Sequence, residues 1–519
     1  MKRRILCAFS LIIVGALIPI LPSNSRTLES PALSPSNGYV AESVIQISED
    51  SPFAGCDISG QGGINFLNTE IEPYLAINPT NHLNIVAAWQ QDWWSNGGSR
   101  GFVTSASFDG GLTWMSAVPQ FSYCSGGTSA NGGDFERAAD AWITFAPNGD
   151  VYLVSLSLSG FSAVERAILV SKSMDGGLTW SAPATLDRKD VLTSLTAFDK
   201  PSIIADPLDS TKVYAPWSQY RFPSEKANPL ALQSFAPRID GYFASTVTAG
   251  QSWQPPYRLF VPESNEGSEG HQVEVTPTGS LIDIFDLRKA AGAQPKFPNY
   301  RIVTMRSTDG GGTWSGLIDV AAERAVIVTN PDTGAPIRAA TFALPDIAAD
   351  LNPASASYGN LYAVWNDAAS TFNAATAYDN IVFTRSTDGG MTWTPIVEID
   401  HSPAGIQSFM PAIAVASDGT IGVTYYDFRN NTSAPGLPTD YWFVQCNPSS
   451  DCTNTANWHE THVAGPFDIE RANIGGARGA FIGDYQGLAA GGADFLAAFV
   501  QTTATDRANV YFARIRRQP

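Results

Sequence analysis

The chain is written in short runs where small apolar residues alternate with polar ones. That period of two predicts strands half buried on a sheet. Seven similar units follow one another. Each opens with a small-residue strand, turns at an Asn, Asp, Gly or Pro cluster, and continues in a strand that often ends in an aromatic. The opening pairs are residues 74–78 with 85–89, 141–146 with 151–155, 201–206 with 213–217, and 272–276 with 281–285. They continue with 346–350 and 361–365, 412–416 and 421–426, and 485–489 and 495–500. A third and fourth strand follow in most units. The seventh ends at a third strand, 510–515, while an alternating run at 43–48 (S-V-I-Q-I-S) has no unit of its own. That run is expected to supply the missing strand and close a ring, which leaves no open sheet edge.

An octapeptide punctuates the units after their third strands. It reads S-F-D-G-G-L-T-W at 107–114, S-M-D-G-G-L-T-W at 173–180, S-T-D-G-G-G-T-W at 307–314 and S-T-D-G-G-M-T-W at 386–393. A worn copy, T-V-T-A-G-Q-S-W, lies at 246–253. Recurrence every roughly 60–80 residues marks a repeat architecture. The residue types have a physical logic. Ser107, Asp109, Ser173, Asp175, Ser307, Asp309, Ser386 and Asp388 can bond backbone amides and hold a tight turn. Gly111, Gly177, Gly311 and Gly390 allow positive φ. Trp114, Trp180, Trp314 and Trp393 are plugs able to pack between units. The motif resembles the Asp-box, or BNR repeat, of the sialidase superfamily. The resemblance implies an all-β β-propeller of four-stranded antiparallel blades; the seven units predict a seven-bladed β-propeller, a departure from the sialidases' own six-bladed ring, which is the alternative. It also implies that the working face lies opposite the boxes, where the long loops gather.

The 519-residue chain opens with Lys2, Arg3 and Arg4 before an apolar run, so residues 1–25 read as a secretory signal peptide. Residues 26–42, rich in Ser and Pro, read as a flexible leader, and 43–519 as one propeller domain. The expected place is outside the cytoplasm, extracellular or periplasmic, with no membrane attachment after cleavage and a monomeric state. A net charge of −18 argues against nucleic acid as a partner. Cys56, Cys124, Cys446 and Cys452 survive cleavage, and an even count in an exported chain predicts two disulfides. Cys446 with Cys452 closes a short loop, and Cys56 with Cys124 remains; free buried thiols are the alternative.

Candidate chemistry gathers where strands meet the long loops. Asp286 with Arg288 (I-F-D-L-R) and Asp427 with Arg429 (Y-Y-D-F-R) end second strands. Guanidinium groups there can hold a carboxylate bidentately, or each Asp–Arg pair can brace its own loop. A second set begins the first strands: Glu72, Glu136, Arg137, Asp140, Asp199, Lys200, His271, Asp346, Arg478, Asp484 and Tyr485. The resemblance implies a tyrosine nucleophile, a carboxylate acid/base and three arginines around an acidic sugar. The matching positions are Tyr485, with Asp484, Asp140 and Glu136 as carboxylates, and Arg137, Arg288, Arg429 and Arg478 as substrate cations. The family's early F/Y-R-I-P signature is absent; residues 135–138 read F-E-R-A. The function so implied is a secreted glycoside hydrolase of carbohydrate or glycoconjugates, acting on terminal sugars, acidic ones included. A plain two-carboxylate glycosidase, and a non-catalytic propeller binding glycan or protein, are the competing readings. No cofactor is called for, although acidic loops suit a structural Ca²⁺. Scattered histidines argue against zinc. Trp93 or Trp94 could offer a sugar-stacking platform.

Overall fold

The computed structural model describes residues 38–518 except 59, 161–164, 223–237, 264–265, 290–298, 339–343, 373–376 and 477–478. The signal-peptide segment and Arg478 therefore lie outside the described residues. No helix among them is long and apolar enough to cross a membrane.

The strand pairings make seven antiparallel groups. Blade 1 is Glu70–Ile77, Ile85–Trp93, Ser99–Ser107 and Met115–Ala117. Blade 2 is Arg137–Phe145, Val151–Ser159, Glu165–Ser173 and Ala184–Asp190. Blade 3 has a split inner strand, Thr196–Asp199 and Ile204–Ala205, then Val213–Arg221, Arg238–Thr246 and Tyr257–Phe260. Blade 4 is Glu266–Val275, Leu281–Lys289, Asn299–Ser307 and Ile318–Glu323. Blade 5 is Asp346–Ala349, Leu361–Asp367, Asn380–Ser386 and Val397–Glu398. Blade 6 is Ser408–Val415, Ile421–Asp427, Pro438–Cys446 and His459–Asp468. Blade 7 is Gly487–Gly491, Asp494–Gln501 and Asn509–Arg517. Its inner strand lies against that of blade 1, so the blades form a closed β-propeller ring.

The N-terminal ribbon completes blade 7, as the unpaired run at 43–48 predicts. Ile45–Gln46 pairs with Phe512 and Tyr511. The ordered ribbon starts earlier than expected: Tyr39–Ala41 pairs with Arg517, Arg516 and Ile515, so residues 39–41 belong to the sheet and not to a flexible leader. Tyr39 inserts its ring between Phe443 and Phe495, which gives this short strand its burial.

Second strands are buried on both faces because each is sandwiched between neighbouring blades. Trp89, Trp217 and Trp365 near their ends are wholly buried. The octapeptides close the outer turns with one hydrogen-bond set. Ser107 Oγ donates to Asp109 Oδ1 at 2.8 Å and accepts from the Gly111 amide at 2.7 Å, and Thr113 N donates to Asp109 Oδ1 at 2.9 Å. The set repeats around Ser173–Asp175, Ser307–Asp309 and Ser386–Asp388. In the worn copy Thr248 Oγ1 takes the carboxylate's place, accepting from Ser252 N at 3.0 Å. Hydrogen bonds from Thr113 hold the Asp109 carboxyl down to about 2.

Each of these turns also keys into the preceding blade. A Cβ on Gly311 (φ +91) would lie 2.5 Å from Phe243, and one on Gly177 2.6 Å from Val86. Trp314 packs on Phe243 and Trp114 on Phe512. Gly311→Ala is therefore expected to cost about 2–3 kcal/mol through overpacking and left-handed backbone strain. Denaturant unfolding checks this, with Gly316→Ala, where a Cβ meets open space, as the near-neutral control.

Both disulfides form, Cys56–Cys124 and Cys446–Cys452. The first ties the segment ahead of blade 1 to the loop that leaves it.

Candidate functional site

The inner strands share a defect that no hydropathy pattern reveals. Pairing slips between Ile71 and Tyr74, Ala139 and Trp142, Glu269 and Gln272, and Phe409 and Ala412. At these bulges Glu72, Asp140 and Met410 take positive φ, as does Lys200 at the break in blade 3's inner strand. Left-handed backbone at a non-glycine residue costs about 1 kcal/mol or more, and such strain concentrates at functional sites. Proline within a strand was the sequence signal: Pro73, Pro201 and Pro411 each follow one of these residues.

The bulges bring charged groups from blades 1, 2 and 3 together with the loop entering blade 7. Lys200 Nζ forms an ion pair with Asp484, both side chains being only slightly exposed. The Lys200 amide donates to Asp140 Oδ2 at 3.2 Å and to Asp199 Oδ1 at 3.1 Å. The Asp484 amide donates to Glu72 Oε1 at 3.0 Å, and Gln90 Nε2 donates to Glu72 Oε2. One lysine thus stands among four carboxyl groups. Burial pushes the Glu72 carboxyl up to about 8. Burial and the neighbouring Asp140 push Asp199 up to about 6. Glu72 and Asp140 are buried behind the mouth, whereas Asp199, Lys200 and Asp484 keep part of their surface open. The second residue set drawn from sequence is therefore a real cluster in part.

Of the two expectations for Arg288 and Arg429, the pairing of each with the Asp of its own motif is the one observed. Arg288 is ion-paired with Asp286 and Glu269 of its own blade, and Arg429 with Asp427 and with Glu460 at 2.5 Å. Arg429 also stacks on Trp442 at 3.8 Å. Arg137 bonds Gln61, Asn96 and the Gly97 carbonyl and lies over Trp94. These three arginines share no partner. Three others do converge, Arg221, Arg238 and Arg258, on Asp240 at 2.6, 3.6 and 3.5 Å, so a carboxylate already sits at their focus. Sequence spacing missed them because they meet across three adjacent strands of blade 3.

Tyr485 stays in the cluster's neighbourhood but points its hydroxyl to the Ala141 carbonyl at 3.1 Å, with its ring against Trp142. Burial raises its pKa well above the ordinary value. Glu136 accepts from the Gly160 amide, away from Lys200. His271 is wholly buried against Asp283 at 2.8 Å. Trp93 and Trp94 are both buried, so neither offers an open platform. Among the described residues no group of three or more His, Cys, Asp or Glu is arranged to hold a metal ion.

Buried carboxyls have a further consequence. Burial lifts Glu70, Glu274 and Asp379 to about 8 each. Between the ordinary carboxylate range and pH 8 the unfolded chain is ionised at these positions while the folded chain holds the protons. Their contribution to stability is thus full below the unfolded values and is lost as pH rises through about 8. The thermal midpoint is expected to fall by roughly 5 °C or more from pH 5 to pH 9. Differential scanning calorimetry across that range checks this, and Glu70→Gln should flatten the slope.

No family model matches the chain, and no curated protein matches it. Among solved structures it is similar to a Penicillium chrysogenum alpha-L-arabinanase complexed with arabinobiose. The identity is 12%, the TM-score 0.46, and the match covers 92% of this chain and 98% of that one. A Hadza microbial sialidase is 12% identical with TM-score 0.46, covering 84% and 74%. The intramolecular trans-sialidase from Ruminococcus gnavus is 13% identical with TM-score 0.39, covering 89% and 97%. None of these likenesses assigns an activity, since one fold hosts many chemistries.

Proposed function

We propose that the chain is an exported β-propeller glycoside hydrolase that works with carboxylates at the channel mouth, not with a tyrosine and an arginine triad. The observation that carries this is the cluster of Asp199, Asp484, Glu72 and Asp140 around Lys200, assembled by strained backbone. Burial raises Glu72 and Asp199 to different extents there, and setting like groups apart is how a site provides an acid and a base at one pH. In this reading Asp199, raised to about 6, gives its proton to the leaving glycosidic oxygen. Asp484, the ion-pair partner of Lys200, acts on the opposite side of the sugar, as base toward water or as nucleophile. Glu72 and Asp140 position this pair from behind. An acidic mouth repels anionic sugars, so neutral glycosides suit it better than sialosides. Two disulfides fit an oxidising compartment outside the cytoplasm.

A non-catalytic glycan- or protein-binding propeller is the second reading. It is favoured by the pairing of Arg288 and Arg429 within their own blades and by the backbone bond of Tyr485. A panel of neutral and acidic fluorogenic glycosides separates the two. Turnover of a neutral glycoside that is lost as pH rises past an acid with a pKa near 6 supports hydrolysis. Preference for sialosides would sink the carboxylate reading, and silence on the whole panel would leave the binding reading.

A further inference from the structure

The ring axis widens on the face of the octapeptide turns, opposite the Lys200 cluster, into a cavity of about 370 Å³. That is the size of a small-molecule pocket. Its walls are the downstream halves of inner strands, with Ala76, Ile77, Ile204, Ala489 and Ala490 as the partly open apolar lining. Tyr74 and Trp142, stacked at 3.9 Å, form one side. Glu274 and Asp346 also line it. No lysine, arginine or histidine is among the described lining residues; the titratable groups facing in are Tyr74, Glu274 and Asp346. The Glu274 carboxyl accepts only from the adjacent Val275 amide, at 3.2 Å. Asp346 accepts from the Ile347 and Ile413 amides at 3.0 and 2.9 Å. Among the described residues no cation pairs with these two carboxyls, which stand beside an aromatic pair and apolar walls in one half-open cavity.

We propose that this cavity binds a small organic monocation of the alkylammonium class, with its charged head between Glu274, Asp346 and the Tyr74–Trp142 pair and its chain against the alanine and isoleucine walls. Carboxylates and aromatic faces both attract such a head, and aromatic faces accept quaternary ammonium without needing a donor. Between the cavity and the Lys200 cluster lies a much smaller space lined by Gln272, Met410 and Gln486, with Asp346 bordering it on one side and Asp484 on the other. Burial lifts the Glu274 carboxyl to about 8 and that of Asp346 to about 7, and raises Tyr74 well above its ordinary value. A bound cation favours the ionised forms and so releases protons. Affinity therefore rises with pH up to about 8.

Isothermal titration of the full exported chain with hexyltrimethylammonium, which does not titrate, tests this against hexanol and hexanoate. The expected result is one saturable site, at least tenfold tighter at pH 8 than at pH 5, preferring the cation over hexanol and rejecting hexanoate. Glu274→Gln should weaken the cation at least tenfold while leaving hexanol unchanged, and Ala76→Trp should fill the cavity and abolish both. A pH-independent affinity, equal binding of hexanol and cation, unchanged binding in folded Glu274→Gln, or no saturable site would each overturn the proposal.

Discussion

Asp484→Asn is expected to lower kcat on any glycoside the protein turns over by about 10²–10⁴-fold, with KM changed little. The carboxylate is argued to act only as the glycosidic bond breaks, and loss of such a contact shows in kcat. The same side chain is the ion-pair partner of Lys200, whose surroundings also hold Asp140, Glu72 and Asp199. Those three carboxyls still balance the lysine, so the stability cost should be about 1–3 kcal/mol, less than for a lone buried charge. A second variant separates chemistry from folding. Lys200→Met combined with Asp484→Asn removes both charges and should recover stability without recovering turnover. If the double variant regains activity along with stability, Asp484 is a scaffold residue and Asp199 loses its proposed partner.

Arg288→Met should do the reverse: destabilise by about 3–5 kcal/mol and leave kcat and KM in place. Arg288 is almost fully buried, and Asp286 and Glu269 bond it directly. Its charge also faces Glu323. Without the guanidinium these groups must take up protons or remain as unpaired buried charges. Loss of stability should therefore be steeper at pH 8 than at pH 5, where the acids can be neutral. Denaturant unfolding at both pH values measures this, and steady-state kinetics on the folded variant measures the rest. A raised KM with unchanged stability would mean that Arg288 holds substrate, as a sialidase-type site requires.

Much of the architecture was legible before any coordinates. The seven small-residue strand pairs, the octapeptides and the orphan run at 43–48 all report local chemistry: period-two burial, turn-forming hydrogen bonds and a missing fourth strand. Each of those signals is carried by residues close in the chain, and so survives in one dimension. Tyr39–Ala41 escaped because three residues beside a Ser- and Pro-rich stretch carry little pattern; only docking against Phe443 and Phe495 makes them a strand.

The site was legible by residue type but not by grouping. I-F-D-L-R and Y-Y-D-F-R invited arginines that reach a common ligand, yet the same short spacing lets Asp286 and Asp427 capture Arg288 and Arg429 first. By itself, then, the sequence determined the repeat, the ring closure, both disulfide pairs and a pool of charged residues at the starts of inner strands. Only the tertiary structure decided that Glu72, Asp140, Asp199 and Asp484 meet around Lys200, since they come from three separate blades and the loop entering a fourth. The reason is geometric: strand pattern says which side of a sheet a residue faces, whereas meeting at the axis depends on bulges and on how seven sheets are set around it.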